Sequence, residues 1–319
     1  MARRRALWAA AAGAAVIAAL AGLLPPALPR LHDRLPAAAR LALLGLLTDG
    51  AGVTVRSGIP HGPHPRQLHD LYLPSRPGRD GALILFLHGG GWDSGSPEQY
   101  RFVGLSLARM GHHVAVAGYR LFPEVTFPAF VADAAAAVAA LRASFPDLPL
   151  VLMGHSAGAH VAALLALDPR HLAARGLDIC ADLAGLIGLA GPYDPLPMFG
   201  MARFAPIFPE ARRADARPLA FAAGRHPPAL LLHGADDAVV PPGESLALAG
   251  ALRRAGNRAR AVIHPGVGHF GILAAIAPVL AHRAPVRRDI ARFLAGEAAP
   301  GCPPSPARPD QPGAPRDRR

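Results

Sequence analysis

Residues 150–167 read Leu-Val-Leu-Met-Gly-His-Ser-Ala-Gly-Ala-His-Val-Ala-Ala-Leu-Leu-Ala-Leu. A short apolar run leads into Gly-x-Ser-x-Gly and then into an apolar helical pattern. This order predicts a buried strand, a sharp turn at Ser156 and a helix that begins at Ala157. Glycines suit positions 154 and 158, because a side chain at either position would collide with neighbouring backbone. Such a turn exposes a serine hydroxyl at a helix N-terminus, as in a nucleophile elbow, so Ser156 is the candidate nucleophile.

Apolar runs alternate with helical patterns across residues 50–298. Strands are predicted at Leu71–Leu73, Ala82–Leu87, Val114–Ala117, Leu150–Met153, Leu186–Leu189, Ala229–Leu232 and Ala261–Ile263. Helices are predicted at Tyr100–Met110, Phe130–Ser144, Ala157–Leu167, Glu244–Ala255, Gly271–Leu280 and Val286–Leu294. Strands separated by helices form parallel βαβ units. We therefore predict one α/β domain with a mostly parallel central sheet covered on both faces, and functional residues beyond the carboxyl ends of its strands.

A glycine-rich motif, His88-Gly89-Gly90-Gly91-Trp92, follows the predicted strand Ala82–Leu87. Successive glycines let backbone N–H groups turn towards an incoming carbonyl oxygen. The oxyanion that develops during acyl transfer needs two or three such donors arranged in advance. We expect this loop to form part of an oxyanion hole rather than a plain flexible connection.

An acid and a base are expected after two later strands. The motif H-G-A-D-D follows the predicted strand at 229–232, and either Asp236 or Asp237 is placed to orient a histidine. The motif G-V-G-H follows the predicted strand at 261–263 and places His269 on a glycine-flanked loop that reaches across the strand ends. His264 adjoins that strand and precedes a proline, so we expect it to be structural. The chain order of serine, aspartate and histidine is that of an α/β-hydrolase triad.

Together these motifs resemble those of α/β-hydrolase-fold carboxylesterases with an H-G-G-G-W sequence, of the hormone-sensitive-lipase-like and BD-FAE-like types. The resemblance runs from about Asp70 to Leu294 and includes Tyr119-Arg120-Leu121-Phe122-Pro123-Glu124. It implies the α/β-hydrolase fold and, by the H-G-x-x-D register, Asp237 rather than Asp236 as the acid. It also implies that the N–H groups of three residues form the oxyanion hole, namely Gly90, Gly91 and Ala157. G-H-S-A-G-A-H with Y-R-L-F-P-E is also similar to prenylcysteine methylesterases and kynurenine formamidases.

The predicted activity is hydrolysis of small carboxylic esters through an acyl-enzyme on Ser156, with His269 as base and Asp237 as its partner. The alternatives are a formamide or amide hydrolase, a prenylcysteine-methylesterase-like enzyme, and a membrane-attached binding protein on an inactive hydrolase fold. Met and Phe side chains of the insert 196–209 are expected to wall an apolar pocket for short acyl groups. We expect Arg203 to be solvated at its rim, and Arg120 to pair with Glu124.

Composition excludes other classes of protein. The chain has 319 residues, 51% hydrophobic and 17% charged, which excludes a fully disordered protein, and its two cysteines exclude a disulfide-dense scaffold. The net charge of +11 comes from arginine alone on the basic side, and no basic stripe carries interleaved aromatic residues. No nucleic-acid partner is expected. None of the 15 histidines lies in a metal-binding motif, so neither metal nor cofactor is expected. The oligomeric state stays open.

The termini differ in character from the domain. The apolar run Ala6–Leu24 follows three arginines and would span about 28 Å as a helix, so residues 1–24 are interpreted as a signal peptide or membrane anchor, with a soluble helix as the alternative. This predicts an exported catalytic domain, periplasmic or membrane-anchored, with a cytoplasmic location as the alternative. Residues 25–49 are predicted to be a linker or amphipathic segment, and 299–319 a disordered tail rich in Pro and Arg. Cys180 and Cys302 are expected to be free thiols, with a disulfide between them in an oxidising compartment as the alternative.

Overall fold

The computed structural model describes residues 36–79, 81–296 and 302, so the predictions for 1–24, for the 25–35 part of the linker segment and for nearly all of the tail 299–319 lie outside the described residues. The strands are β1 (Val53–Pro60), β2 (Leu68–Pro74), β3 (Leu83–Leu87), β4 (His113–Ala117), β5 (Leu150–His155), β6 (Gly185–Leu189), β7 (Ala229–Gly234) and β8 (Ala259–His264). The helices are α1 (Ala37–Leu47), α2 (Arg101–Ala108), α3 (Ala129–Ser144), α4 (Ala157–Leu167), α5 (Pro169–Ala173), α6 (Ile179–Asp182), α7 (Gly243–Arg254), α8 (His269–Ala274) and α9 (Val286–Gly296).

The strands form one eight-stranded sheet in the order β1-β2-β4-β3-β5-β6-β7-β8. Strands β3 to β8 run parallel to one another, whereas β2 is antiparallel to both β1 and β4. The predicted α/β class with a mostly parallel sheet is confirmed. The carboxyl ends of β3, β5, β7 and β8 therefore share one edge of the sheet, where their loops meet.

Helices cover both faces of the sheet, and each face has its own core. Alternate residues of β3 divide between them: Leu83, Leu85 and Leu87 belong to one core cluster, and Ile84 and Phe86 to the other. Every residue of β3 is buried, which is why its sequence is apolar without alternation.

Helix α1 lies within residues 25–49 and packs on the domain. Its Leu41 and Leu44 are buried in the same cluster as Ile84 and Phe86. Their three-residue spacing places them on one face of the helix. Across the described residues, no helix is both long enough and apolar enough to cross a membrane.

The edge strand β1 and the helix after β8 differ from the sequence-based prediction. The edge strand β1 was not predicted, because most of its residues are exposed and it contains Gly58. The helix predicted at Gly271–Leu280 instead begins at His269 and ends at Ala274, and a short 3-10 turn follows at Pro278–Leu280. Proline explains the break, since Pro278 has no N–H to continue the helix.

The expectation of two free thiols is wrong, because Cys180 and Cys302 form a disulfide. The bond joins helix α6 to a residue 122 positions later in the sequence. Arg225 stabilises the same contact by donating a hydrogen bond to the carbonyl oxygen of Cys302 at 3.2 Å. Sequence spacing carries no information on such a pair, because only the folded chain brings its two members together.

Candidate active site

The serine turn has the predicted elbow geometry. Strand β5 ends at His155, α4 begins at Ala157, and Ser156 between them has φ 54° and ψ −122°. That left-handed φ is uncommon for a residue with a side chain and is held by the surrounding backbone. A side chain at Gly154 would collide with the backbone of Gly158, and one at Gly158 would collide with the carbonyl of Leu87. These glycines allow the turn to pack closely against β3.

The candidate nucleophile, base and acid form one hydrogen-bonded series. Ser156 Oγ lies 2.9 Å from His269 Nε2, and His269 Nδ1 lies 2.8 Å from Asp237 Oδ2. An ionised carboxylate only accepts hydrogen bonds, so the proton resides on Nδ1 and Nε2 is free to accept from the serine hydroxyl. The three loops that follow β5, β7 and β8 thus converge on one point.

The acid is buried and fully hydrogen-bonded. Asp237 Oδ1 accepts from the N–H groups of Val239 and Val240 at 2.8 and 2.9 Å. Burial by itself would raise the pKa of Asp237, but hydrogen bonds from His233 and His269 outweigh burial and hold that pKa well below its usual range. Asp237 is therefore an ionised carboxylate at neutral pH. Its neighbour Asp236 is exposed.

The glycine-rich loop lies beside the serine in an unusual conformation. Gly90, Gly91 and Trp92 have φ values of 126°, 61° and 62°, so three successive residues are left-handed. Trp92 holds this loop in place, because its ring is 1% exposed and packs edge-on against Phe208. Within the part of the chain that the structure describes, the N–H groups of Gly90 and Gly91 donate to no protein acceptor. With Ala157 at the start of α4, they leave donors available beside Ser156.

A cavity of about 460 Å³ opens onto Ser156 and His269. Three segments complete its walls. They are the start of α1 with Ala37, Ala38 and Leu41, the insert after β6 with Met198, Arg203 and Phe204, and the acid loop with Val239 and Val240. The contribution of α1 was missed by sequence reasoning. The sequence signal was the three-residue spacing of Leu41 and Leu44. This spacing indicates a helix, but it does not show where the helix packs on the domain.

The insert walls the cavity as expected, with Met198 and Phe204 lining it. Phe199 and Phe208 lie beneath, in the core cluster that also contains Trp92. The expectation for Arg203 is only partly right. Its side chain is 61% exposed, but it also forms a two-pronged ion pair with Asp93, with both hydrogen bonds at 2.9 Å.

The expected pair of Arg120 with Glu124 is wrong. Arg120 instead donates to both carboxylate oxygens of Asp133, at 2.7 and 2.8 Å. Asp133 is a buried residue of α3 and also accepts from Gln67 at 2.6 Å, so it offers a better enclosed partner than Glu124. Glu124 contacts His64 instead.

Asp194, which lies after β6, and His264, at the end of β8, take no part in the hydrogen bonds between Ser156, His269 and Asp237. Asp194 pairs with Arg217 at 2.7 Å and makes no contact with His269. His264 lies 3.3 Å from Asp289 on α9, in the structural position expected of it. Among the described residues, no group of three His, Cys, Asp or Glu side chains is arranged to hold a metal ion.

A buried histidine stands directly before the serine. His155 Nε2 lies 3.0 Å from the carbonyl oxygen of His269 and donates its hydrogen to that oxygen. Burial, together with the neighbouring His269, lowers the pKa of His155 to about 3, so its ring is neutral at neutral pH. This hydrogen bond links the end of β5 to the backbone of His269 without adding charge.

The overall arrangement matches known structures. Esterase B from Lactobacillus rhamnosis, in a crystal structure inhibited by a tributyrin phosphonate, aligns with a TM-score of 0.69 at 21% identity, over 82% of this chain and 91% of that chain. The chain has the α/β-hydrolase fold. The BD-FAE family model matches residues 69–179 of this chain, and the model of the prolyl oligopeptidase family matches residues 200–294.

Two curated relatives show which enzymes this chain is similar to. Isoprenylcysteine alpha-carbonyl methylesterase from Arabidopsis thaliana is 31% identical over 241 residues, which are 67% of this chain and 56% of that protein. Kynurenine formamidase from Salmo salar is 30% identical over 142 residues, which are 44% of this chain and 47% of that protein. The chain spans about half the length of these curated relatives. The matches confirm the predicted resemblance to esterases of the α/β-hydrolase fold.

Proposed function

We propose that this chain is a serine hydrolase that cleaves small carboxylic esters through an acyl-enzyme. The observation that carries the proposal is the continuous series Ser156–His269–Asp237, with hydrogen bonds of 2.9 and 2.8 Å, whose Ser156 and His269 line a mostly apolar cavity. A serine hydroxyl becomes a useful nucleophile only when an adjacent base accepts its proton. The resemblance to esterases supports the same reaction.

In the proposed first step, Ser156 Oγ attacks the ester carbonyl carbon while its proton passes to His269 Nε2. The carbonyl π electrons move onto oxygen, and the N–H groups of Gly90, Gly91 and Ala157 stabilise the resulting oxyanion. Asp237 keeps the proton of His269 on Nδ1 and stabilises the imidazolium. The ester C–O bond then breaks, and the departing alkoxide takes the proton from Nε2.

In the second step, water replaces the alcohol. His269 removes a proton from the water, whose oxygen attacks the acyl carbon of the acyl-enzyme. The second tetrahedral intermediate collapses, and Ser156 Oγ regains its proton from His269. The products are a carboxylic acid and the free enzyme, and neither step needs a metal or organic cofactor.

The cavity supports short acyl groups. Its volume of about 460 Å³ lies at the small end of ligand sites and must hold both the acyl and the alcohol parts of the substrate. Apolar walls favour neutral acyl chains, and Arg203 is already paired with Asp93. Each buried methylene adds about 0.8 kcal/mol until the cavity is full. Catalytic efficiency should therefore rise over the first acyl carbons and then fall.

A series of p-nitrophenyl esters from acetate to palmitate tests the function, with Ser156→Ala as the matched control. We expect efficient turnover of short esters by the wild type and a loss of several orders of magnitude in the variant. Highest efficiency on palmitate would contradict the short-acyl proposal. Equal turnover by the variant would contradict the serine mechanism.

A second candidate activity is hydrolysis of a formamide, because the relative from Salmo salar is a kynurenine formamidase. The same three side chains serve both reactions, but an amide leaves as an amine and needs the proton from His269 before the C–N bond breaks. Comparing an aryl formate ester with the matching N-formyl arylamine separates the two. A higher kcat/KM on the formamide than on the ester would identify formamide hydrolysis as the main activity.

We also propose that the domain is exported. The Cys180–Cys302 disulfide supports an oxidising compartment, since such bonds are rare in the cytosol of mesophiles. The apolar segment within residues 1–24 supports the same direction. Fractionation of cells that express the full chain should place activity in the periplasmic or membrane fraction. Activity confined to the cytosol would contradict export.

A further inference from the structure

A second histidine contacts the candidate acid. His233, in β7, has a side chain that is fully buried, and its Nε2 lies 3.2 Å from Asp237 Oδ2. That carboxylate oxygen is the one that accepts from His269. Nε2 also lies 2.9 Å from the carbonyl oxygen of Val240, three residues beyond the acid. One ring nitrogen thus contacts both the acid and the loop that carries it.

The contacts of His233 determine its tautomer. Both neighbours of Nε2 are oxygens that only accept hydrogen bonds, so Nε2 carries the hydrogen. With one hydrogen on the ring, Nδ1 is then an acceptor, and it lies 2.8 Å from Ser245 Oγ on α7. The hydroxyl of Ser245 therefore donates to Nδ1 and fixes the ring as an Nε2–H donor.

We propose that His233 is a positioning residue that sets the orientation of Asp237 towards His269. This inference rests on the proposed function of the triad. The N–H groups of Val239 and Val240 donate to Oδ1, and Nε2 of His233 contacts Oδ2. With both oxygens held, the carboxylate has one rotamer, and Oδ2 stays in line with His269 Nδ1.

His233 also affects how tightly the acid–base pair holds a proton. An N–H donor on Oδ2 withdraws negative charge from the carboxylate, so Asp237 stabilises the imidazolium of His269 less strongly. Other titratable groups facing this cluster are His155 from β5, Glu244 from α7, and the buried Tyr193 after β6, which interacts with Ser245. Without the Nε2–H donor, the coupled pair should bind its proton more tightly, and the acid limb of kcat/KM should move to higher pH.

Three substitutions at one site test the proposal. In His233→Gln, the side-chain amide is long enough to place an N–H where Nε2 lies. In His233→Asn, the shorter amide reaches only the position of Nδ1, and His233→Leu has no polar group at either position. The matched control is His226→Gln, because His226 is also buried and bonded to a carbonyl oxygen, that of Ala223 at 2.9 Å, away from the cavity. Rates are normalised to the fraction of enzyme that reacts with a fluorophosphonate.

We expect Asn and Leu to lower kcat on the order of tenfold to a hundredfold with KM changed by less than about twofold, and to shift the acid limb upwards. Gln and the His226 control should keep kcat and the acid limb near wild type. Wild-type values for Asn would overturn the proposal, even if Leu fails to fold. So would a Gln variant as impaired as Asn.

The inference can fail separately from the proposed function. The downfield proton NMR resonance of His269 Nδ1–H reports the hydrogen bond to Asp237 without any substrate. It should persist in Gln and shift or broaden in Asn. An unchanged resonance in Asn would overturn the role of His233, whereas a wild type that shows this behaviour but hydrolyses no ester contradicts only the proposed function.

Discussion

At the residue scale, the acid loop places two adjacent aspartates in opposite environments. Asp237 is buried, and four groups surround its carboxylate, namely two backbone N–H groups and the rings of two histidines. Asp236 is exposed. Only the buried one can orient His269. The tight turn after β7 causes this difference, since the N–H groups of Val239 and Val240 draw the Asp237 side chain inwards.

Asp237→Asn should therefore lower kcat far more than Asp236→Asn. Asparagine presents an N–H donor where His269 Nδ1 needs an acceptor, which favours the wrong tautomer and costs on the order of 10⁴ in a comparable triad. Asp236→Asn should stay within about threefold of wild type, in line with an exposed side chain. Steady-state kinetics on one short ester compares the two. The reverse ranking would assign the acid to Asp236.

The depressed pKa of Asp237 predicts how its stabilising effect depends on pH. A carboxyl with a folded-state pKa below its unfolded value of about 3.9 stabilises the fold above that pH and loses this contribution as pH falls towards the folded value. Denaturant unfolding of wild type and Asp237→Asn should differ most near neutral pH and converge in acid. A difference that grows as pH falls below 4 would contradict this linkage.

Some residue contacts could be predicted from sequence and others could not. Ser156 and His269 follow from glycine-flanked motifs at strand ends, which leave few alternative positions. The acid was open between Asp236 and Asp237, because an irregular loop has no periodicity to show which side chain points inwards. The partner of Arg120 is Asp133, 13 positions away, and only tertiary packing selects it over Glu124.

At the element scale, α1 forms a cavity wall as well as a core contact. Leu41 is buried while Ala37 and Ala38, one turn earlier, line the cavity. Small side chains at these two positions leave room for substrate. The sequence of this helix is almost entirely Ala and Leu, so its pattern does not show which face packs on the domain.

Enlarging Ala38 should shorten the preferred acyl chain. A phenylalanine at this position fills part of the cavity, so Ala38→Phe should lower kcat/KM on longer esters more than on acetate. Ala42→Phe is the matched control, because Ala42 is exposed on the same helix and does not line the cavity. Equal chain-length profiles for both variants would mean that α1 does not limit the substrate.

At the scale of the whole molecule, the sheet brings distant motifs together. The loops after β3, β5, β7 and β8 meet because these strands are parallel and end at the same edge. Sequence predicted this arrangement well, since buried parallel strands are continuously apolar. It missed the edge strand β1 and the disulfide, because an exposed edge and a contact 122 residues apart leave no local pattern.

The disulfide should contribute to stability and not to turnover. Closing a loop of this length restricts the unfolded chain, and a native disulfide typically contributes about 2–4 kcal/mol. Cys302→Ser should lower the free energy of unfolding by this amount while kcat stays unchanged, because neither cysteine lines the cavity. Reductant should reproduce the effect in the wild type and have none in the variant. Loss of kcat without loss of stability would contradict this role.

The central claim is that Ser156, activated by His269 and Asp237, attacks the substrate and forms a covalent intermediate. Its most direct measurement is titration with a fluorophosphonate, followed by residual ester turnover and by mass mapping of the modified peptide. We predict one adduct per chain, located on Ser156, with turnover falling to zero in proportion to labelling, and no adduct in Ser156→Ala. An adduct on another residue, or full ester turnover by a completely labelled enzyme, would contradict the account.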